Sequence, residues 1–201
     1  ITGVGFQPDL VWIKNRSQTD NHKLTDAVRG VTEELESNTT DAEDTNADGL
    51  TAFASDGFTV GADAEYNTNA ENYVSWNWKA GGAPTADNSA GVGATPTSGS
   101  VKIDGSNLGS ALAGTLAATR LSANTTSAFS ITKYNGNDTV GATVAHGLGV
   151  APALVIIKIL DGVYGWDTTS PLLGTTGDTT GGLDEYYMVR LDLDMAKADW
   201  G

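Results

Sequence analysis

One stretch, Asp44-Thr45-Asn46-Ala47-Asp48-Gly49, has residue types and a spacing that could hold a cation. Asp44, Asn46 and Asp48 occupy the first, third and fifth places of a calcium loop, with Gly49 at its sharp turn. The bidentate glutamate such a loop needs at its last position is Ser55 here, and no helical pattern flanks it. Asp- and Asn-rich stretches between strands usually serve turns, because their side chains bond nearby backbone amides. Calcium is therefore a candidate ligand of these three residues, turn chemistry is the weightier reading, and no other cofactor is expected.

A second chemistry is sugar stacking, in which an exposed aromatic ring covers the apolar face of a pyranose. Tyr164 and Trp166 stand in a Gly-rich loop and are the candidates for it. Trp12, Trp76 and Trp78 lie in strand patterns and read as core residues instead. Catalysis finds little material. His22 and His146 are the two histidines, there is no Gly-x-Ser-x-Gly, and no spacing singles out a pair of carboxylates. The Gly-x-Gly pairs do not make a nucleotide loop, since each precedes a strand and Pro8 or Pro152 stands at the third glycine's place.

Those pairs belong to a larger pattern. Residues 3–14, GVGFQPDLVWIK, return as residues 147–158, GLGVAPALVIIK, with seven of twelve positions identical at an offset of 144. In each, a glycine-rich bend and a proline lead into a four-residue apolar run, expected as a strand buried on both faces. Alternation predicts further strands in YVSWNWK (73–79), with Val74, Trp76 and Trp78 on one face, and in EYYMVRLDLD (185–194). Phe129 is expected to start a hairpin turning at Asn135-Gly136, and Asp56-Gly57 to turn into Phe58 and Val60. TDAVRGVTEELES hints at a helix broken by Gly30, but a strand around Leu35 fits the repeat better.

The fold class expected is all-β: two tandem lectin-like or jelly-roll-like sandwich repeats joined by a Gly/Ala/Ser/Thr-rich linker. The first repeat spans 1–82 and lacks its leading hairpin. Residues 83–127 form the linker with a small β insert, and 128–201 form the second repeat, lacking its C-terminal part. The chain reads as a window on a longer tandem array.

Composition sets outer limits. Eleven basic against 25 acidic residues give a net charge of -14, which argues against nucleic acid and anionic membrane surfaces as partners. No apolar run approaches the ~18 residues of a membrane span. Without cysteine, disulfides and thiolate chemistry are excluded.

Three pieces are the most distinctive: GFQPDLVWIK (5–14), WNWKAGG (76–82) and HGLG (146–149). With SNTTDAE, ADGLTAFASDGFTVG and SANTTSAFSITKYNGND, they resemble a tandem repeat of large virion structural proteins of tailed phages, especially marine ones. The resemblance covers nearly the whole chain and implies a non-enzymatic component of the virion exterior, in a tail fibre or other appendage that contributes to host attachment. It also implies homo-oligomerisation, with a trimer as in many fibres, contact with other virion proteins, and a host surface glycan as ligand. A capsid decoration protein, a glycan-degrading spike and a bacterial adhesin module are the alternatives. In the second repeat LDGVYGWDTTSPLLGTTGDTTGG does not track the first closely, so loop-borne specificity does not transfer.

Overall fold

The apolar run after Pro8 forms an interior strand of the larger sheet in a computed structural model that describes residues 1–170. Strand β1 (Leu10–Asn15) pairs antiparallel with β2 (Lys23–Asp26) on one side. Outward from β2 follow β3 (Glu33–Glu36) and the two-residue β4 (Asp44–Thr45). A hairpin, β5 (Leu50–Ala54) and β6 (Gly57–Val60), and a single helical turn, α1 (Ala64–Asn67), come next. The chain then returns as β7 (Tyr73–Trp78) along the other edge of β1, which closes a five-stranded sheet ordered β4-β3-β2-β1-β7.

Strand periodicity sends Val11 and Ile13 to one face of β1, and there they meet Leu50, Phe58 and Tyr66 in one core. The hairpin thus forms the second layer of a sandwich-like unit. Each fully buried side chain of this kind stabilises the fold by roughly 1.5–3 kcal/mol. Leu10 and Trp12 face the other side and are only half buried, so the two-faced burial expected of this run is met on one face.

A second sheet of four strands has the order β11-β10-β8-β9: β8 (Val101–Ile103), β9 (Ser106–Asn107), β10 (Ala118–Asn124) and β11 (Phe129–Tyr134). Strand β8 runs parallel to β10, and Val101, Ala118, Leu121, Ala123 and Leu148 make its core. Here the expected hairpin is corrected. Phe129 does begin a strand, but β11 pairs backwards with β10 through the turn at Thr125–Ala128, not forwards through Asn135-Gly136. The reason is that Asn124 caps that earlier turn, its Oδ1 accepting from Thr126 N and Ser127 N at 3.0 and 2.8 Å. The hairpin straddles the division placed at residue 127.

The segment expected as a linker is held in place. Asn88 Nδ2 donates to Ala118 O at 3.0 Å, its Oδ1 accepts from Ala90 N and Thr97 N, and Thr85 N donates to Gly99 O at 2.8 Å. Gly81 lies so close to the second sheet that a Cβ would stand 2.5 Å from both Ala123 O and Lys102 O. Ser122 Oγ completes the junction, accepting from Gly81 N and donating to Gly82 O.

The last described pair is β12 (Val155–Lys158) with β13 (Trp166–Thr169). Its register is that of β1 with β2 shifted by the repeat offset. Val11↔Thr25 becomes Val155↔Thr169, and Ile13↔Lys23 becomes Ile157↔Asp167. Between Ile159 and Ser170 only Thr169 still matches its first-repeat counterpart, Thr25, yet the hairpin length and pairing are kept. The fold is all-β with tandem units, as expected. The strand anticipated at 185–194, with Asp192 and Asp194, lies outside the described residues.

Candidate functional site

The buried face of the five-stranded sheet carries a concentrated ion cluster. Lys23, 3% exposed, directs Nζ at Glu34 Oε1 (2.8 Å), Glu36 Oε1 (2.6 Å) and Glu65 Oε2 (2.5 Å). Strand pairing brings Lys23 opposite Glu36, and α1 supplies Glu65. Tyr66 Oη donates to Glu34 Oε2 at 2.8 Å, and Asn46 Nδ2 adds a second bond to the same oxygen. Burial works against the Lys23 ammonium, but three carboxylates hold its pKa well above the ordinary lysine range. Burial and the charge of Glu34 push the Tyr66 hydroxyl up, so it stays protonated and donating. The three carboxylates offer oxygens within 4.8 Å of one another, a spacing suited to a metal. The lysine ammonium already stands where the cation would sit, so the cluster pins β2, β3 and α1 together.

This arrangement settles where the expected calcium residues go. Asn46 turns inward to Glu34 and uses its Oδ1 to accept from Asp48 N at 3.1 Å. Asp44 Oδ1 accepts from Thr45 N, and both aspartates are exposed. Gly49 fits closely under the cluster: a Cβ there would stand 3.2–3.3 Å from Glu34, Tyr66 and Asn46 side-chain atoms, which would have to give by a few tenths of an ångström. The segment is an Asx turn that closes the Lys23 cluster, a role the loop spacing did not reveal.

The opposite face of the same sheet is aromatic. Trp12 lies 5.2 Å (ring centroids) from its cross-strand neighbour Trp76 and 6.5 Å from Trp78, which stacks at 6.1 Å on Phe129 of β11. His22 flanks Trp12 at 6.5 Å, and burial together with nearby Lys14 lowers its pKa, which favours the neutral ring. Trp76 is 45% exposed, which corrects its assignment to the core. Alternation placed it on the same face as Trp78, but β7 is an edge strand, and among the described residues Phe129 stacks on Trp78 while Trp76 stays exposed. Trp12 and Trp78 are half buried.

Tyr164 and Trp166, the expected sugar platform, separate in their roles. Trp166 Nε1 donates to Glu36 O and Thr39 O, both at 3.2 Å, which ties β13 to the loop after β3. Its cross-strand partner Lys158 reaches Thr40 O, and Glu43 N donates to Leu160 O at 2.8 Å. Tyr164 is 56% exposed, its ring lying over Gly162. Among the described residues, the exposed rings able to stack on a sugar are Trp76 and Tyr164.

The two most distinctive motifs prove to be a single clamp. Asp9, 2% exposed, accepts from Ala80 N at 2.7 Å and Gly82 N at 3.2 Å. Asp9 N donates to Trp78 O, and Ala27 N donates to Asp9 O. Burial pushes its carboxyl pKa up, opposed by the two amides. The Gly-x-Gly bend has a parallel use: Gly3 N and Gly5 N donate to the two carboxylate oxygens of Asp56 at 3.0 and 2.6 Å. Both glycines need positive φ, +90° and +84°, for those amides to converge. The bend cradles an anion, and the anion is the protein's own.

Comparison with known proteins follows this architecture. Residues 1–110 and 104–185 each match one family, described as a domain of unknown function (DUF7483). No curated protein and no solved structure matches the chain.

Proposed function

We propose that this chain, which belongs to the DUF7483 family and matches it twice, is a non-enzymatic structural module of a bacteriophage virion, part of a tail fibre or other surface appendage contributing to host attachment. The observation that carries the structural reading is the β1–β2 hairpin recurring as β12–β13 in the same register, 144 residues on. Tandem units with fixed junctions make a spacer, and they present any surface contact many times over. The virion setting rests on the resemblance of GFQPDLVWIK, WNWKAGG and HGLG to phage structural repeats.

Chemistry at the surface is compatible with adhesion. Trp76 and Tyr164 offer exposed rings for pyranose faces, and weak single contacts gain from repetition. Homo-oligomerisation, a trimer by analogy with fibres, would multiply them again. The most strongly organised polar cluster is occupied by Lys23, which leaves its carboxylates paired and not poised for hydrolysis. Labelling intact particles with an antibody to this chain and imaging them by electron microscopy tests the reading. Label on tail appendages supports it; label on the head shell would make the protein a capsid decoration, and cleavage of host envelope polysaccharide by the purified chain would make it an enzyme.

A further inference from the structure

Asn135-Gly136 is a motif to which the fold gives no structural task. Its residue types suit a hairpin turn, but β11 turns back to β10 through Thr125–Ala128. The pair therefore lies past the end of β11, exposed and in neither a strand nor a turn. Among the described residues the Asn135 carboxamide has no hydrogen-bond partner, and Gly136 N donates to no acceptor. A Cβ built on Gly136 would meet nothing within 4 Å.

An asparagine carboxamide carbon is an electrophile, and the peptide nitrogen of the next residue is the nucleophile nearest to it. Closing that ring requires the backbone and side chain to rotate together, and a Cβ on the following residue stands in the way. Glycine removes the obstacle, and freedom from hydrogen bonds permits the rotation. We propose that Asn135-Gly136 is a self-modifying site, where the chain converts its own carboxamide to aspartate and isoaspartate with water as the only co-reactant. Gly136 N gives its proton to water or hydroxide and bonds to Asn135 Cγ. The Cγ–Nδ2 bond breaks, and Nδ2 leaves as ammonia. Water then opens the resulting succinimide by attack at one of its two carbonyl carbons, breaking that carbon's bond to Gly136 N. Attack at Cγ restores the ordinary backbone and leaves an aspartate side chain. Attack at the backbone carbonyl carbon leaves the chain running through Cγ, one methylene longer, with the α-carboxylate free.

Other asparagines are held back from this reaction. Asn88 uses Nδ2 on Ala118 O and Oδ1 on Ala90 N and Thr97 N, and Asn124 Oδ1 caps the turn between β10 and β11. Asn46 is bonded at both ends of its amide, and Asn15 is fully buried. Asn69 precedes Ala70, whose methyl group hinders the attacking nitrogen. Consequences of the conversion stay local. The loop is anchored at Tyr134, which pairs with Ala118, and at Thr143, whose O accepts from Thr115 N and Leu116 N at 2.9 and 3.0 Å. An added methylene is taken up between these anchors, and the new carboxylate makes a chain of net charge -14 one unit more negative. The altered surface is the recess that Leu116, Tyr134, Asn137 and Val140 line.

Incubating the whole folded chain at mildly alkaline pH, with peptide mapping by mass spectrometry at intervals, tests this. The fragment carrying Asn135 should gain about 1 Da and split into two products, one of which accepts a methyl group from an isoaspartate methyltransferase. That gain should run roughly tenfold or more faster than at any other asparagine. A Gly136→Ala variant, which the open space around Gly136 accommodates, should slow it by a similar factor. The free peptide TKYNGND, incubated alongside, sets the rate for an unrestrained Asn-Gly pair. No conversion at Asn135 while the peptide converts would overturn the proposal, as would faster conversion at another asparagine. Equal rates in the parent and the alanine variant, or aspartate as the sole product, would do the same by removing the succinimide.

Discussion

Replacing Asp9 by alanine removes the acceptor that joins the start of β1 to the end of β7. Ala80 N, at 2.7 Å, is left in a buried position without a partner, and Gly82 N, at 3.2 Å, loses one in a partly buried position. A buried donor stranded in this way costs about 1–3 kcal/mol. Part of that is offset because the alanine variant no longer holds a carboxylate out of water, the effect that raises the Asp9 pKa. The net expectation is a loss of about 2–4 kcal/mol, a large share of an ordinary stability of about 5–15 kcal/mol. In a domain of this size it should lower Tm by roughly 4–16 °C. Urea unfolding followed by tryptophan fluorescence reads it directly, since Trp78 O accepts from Asp9 N. Asp9→Asn keeps one acceptor oxygen without the charge and should lose about half as much. The sign with pH also follows. A raised carboxyl pKa means the folded state binds the proton more tightly, so Asp9's contribution falls as pH rises from its unfolded value through its folded one. An alanine variant within about 0.5 kcal/mol of the parent would refute the clamp.

Lys23→Met should cost about 3–5 kcal/mol at neutral pH, because Glu34, Glu36 and Glu65 are left facing one another, and urea titrations should show the deficit shrinking as acid protonates them. In the parent, burial would raise the Glu36 pKa but Lys23 holds it below the ordinary value, so that group's stabilisation is present above its unfolded pKa and fades as pH falls through the folded one, measurable by denaturation between neutral and acid pH. Trp76→Ala should lose only about 0.5–1.5 kcal/mol, the scale of its ring contact with Trp12, while weakening any glycan binding on an array, whereas Trp12→Ala should lose roughly 2–4 kcal/mol. Asp56→Asn should speed amide exchange at Gly3 and Gly5 selectively, with the parent approaching that behaviour only in acid, below the lowered Asp56 pKa.

Much of the β architecture is written locally. Alternation in YVSWNWK marks β7, the Asp56-Gly57 turn marks β5–β6, and Leu35 sits in β3, the strand expected there in place of a broken helix. These are readable because side-chain period and turn chemistry act over a few residues. The β11 hairpin was misplaced because two turn signals competed, and Asn124's amide capping decided between them.

What the sequence determined by itself was the repeat: a 144-residue offset, a proline-led apolar strand, and two glycines ahead of it. What only the tertiary structure decided was the use of its polar and aromatic residues. Asp9 and Asn46 have ordinary sequence surroundings, yet their partners, Ala80 and Glu34, are brought to them by strand pairing across the sheet and not by neighbourhood in the chain. Trp76 and Trp78 share one alternation pattern, but exposure depends on which layer arrives above each ring, and Phe129 reaches only Trp78. Period is a local property of a strand; burial and charge pairing belong to whatever the rest of the chain lays against it.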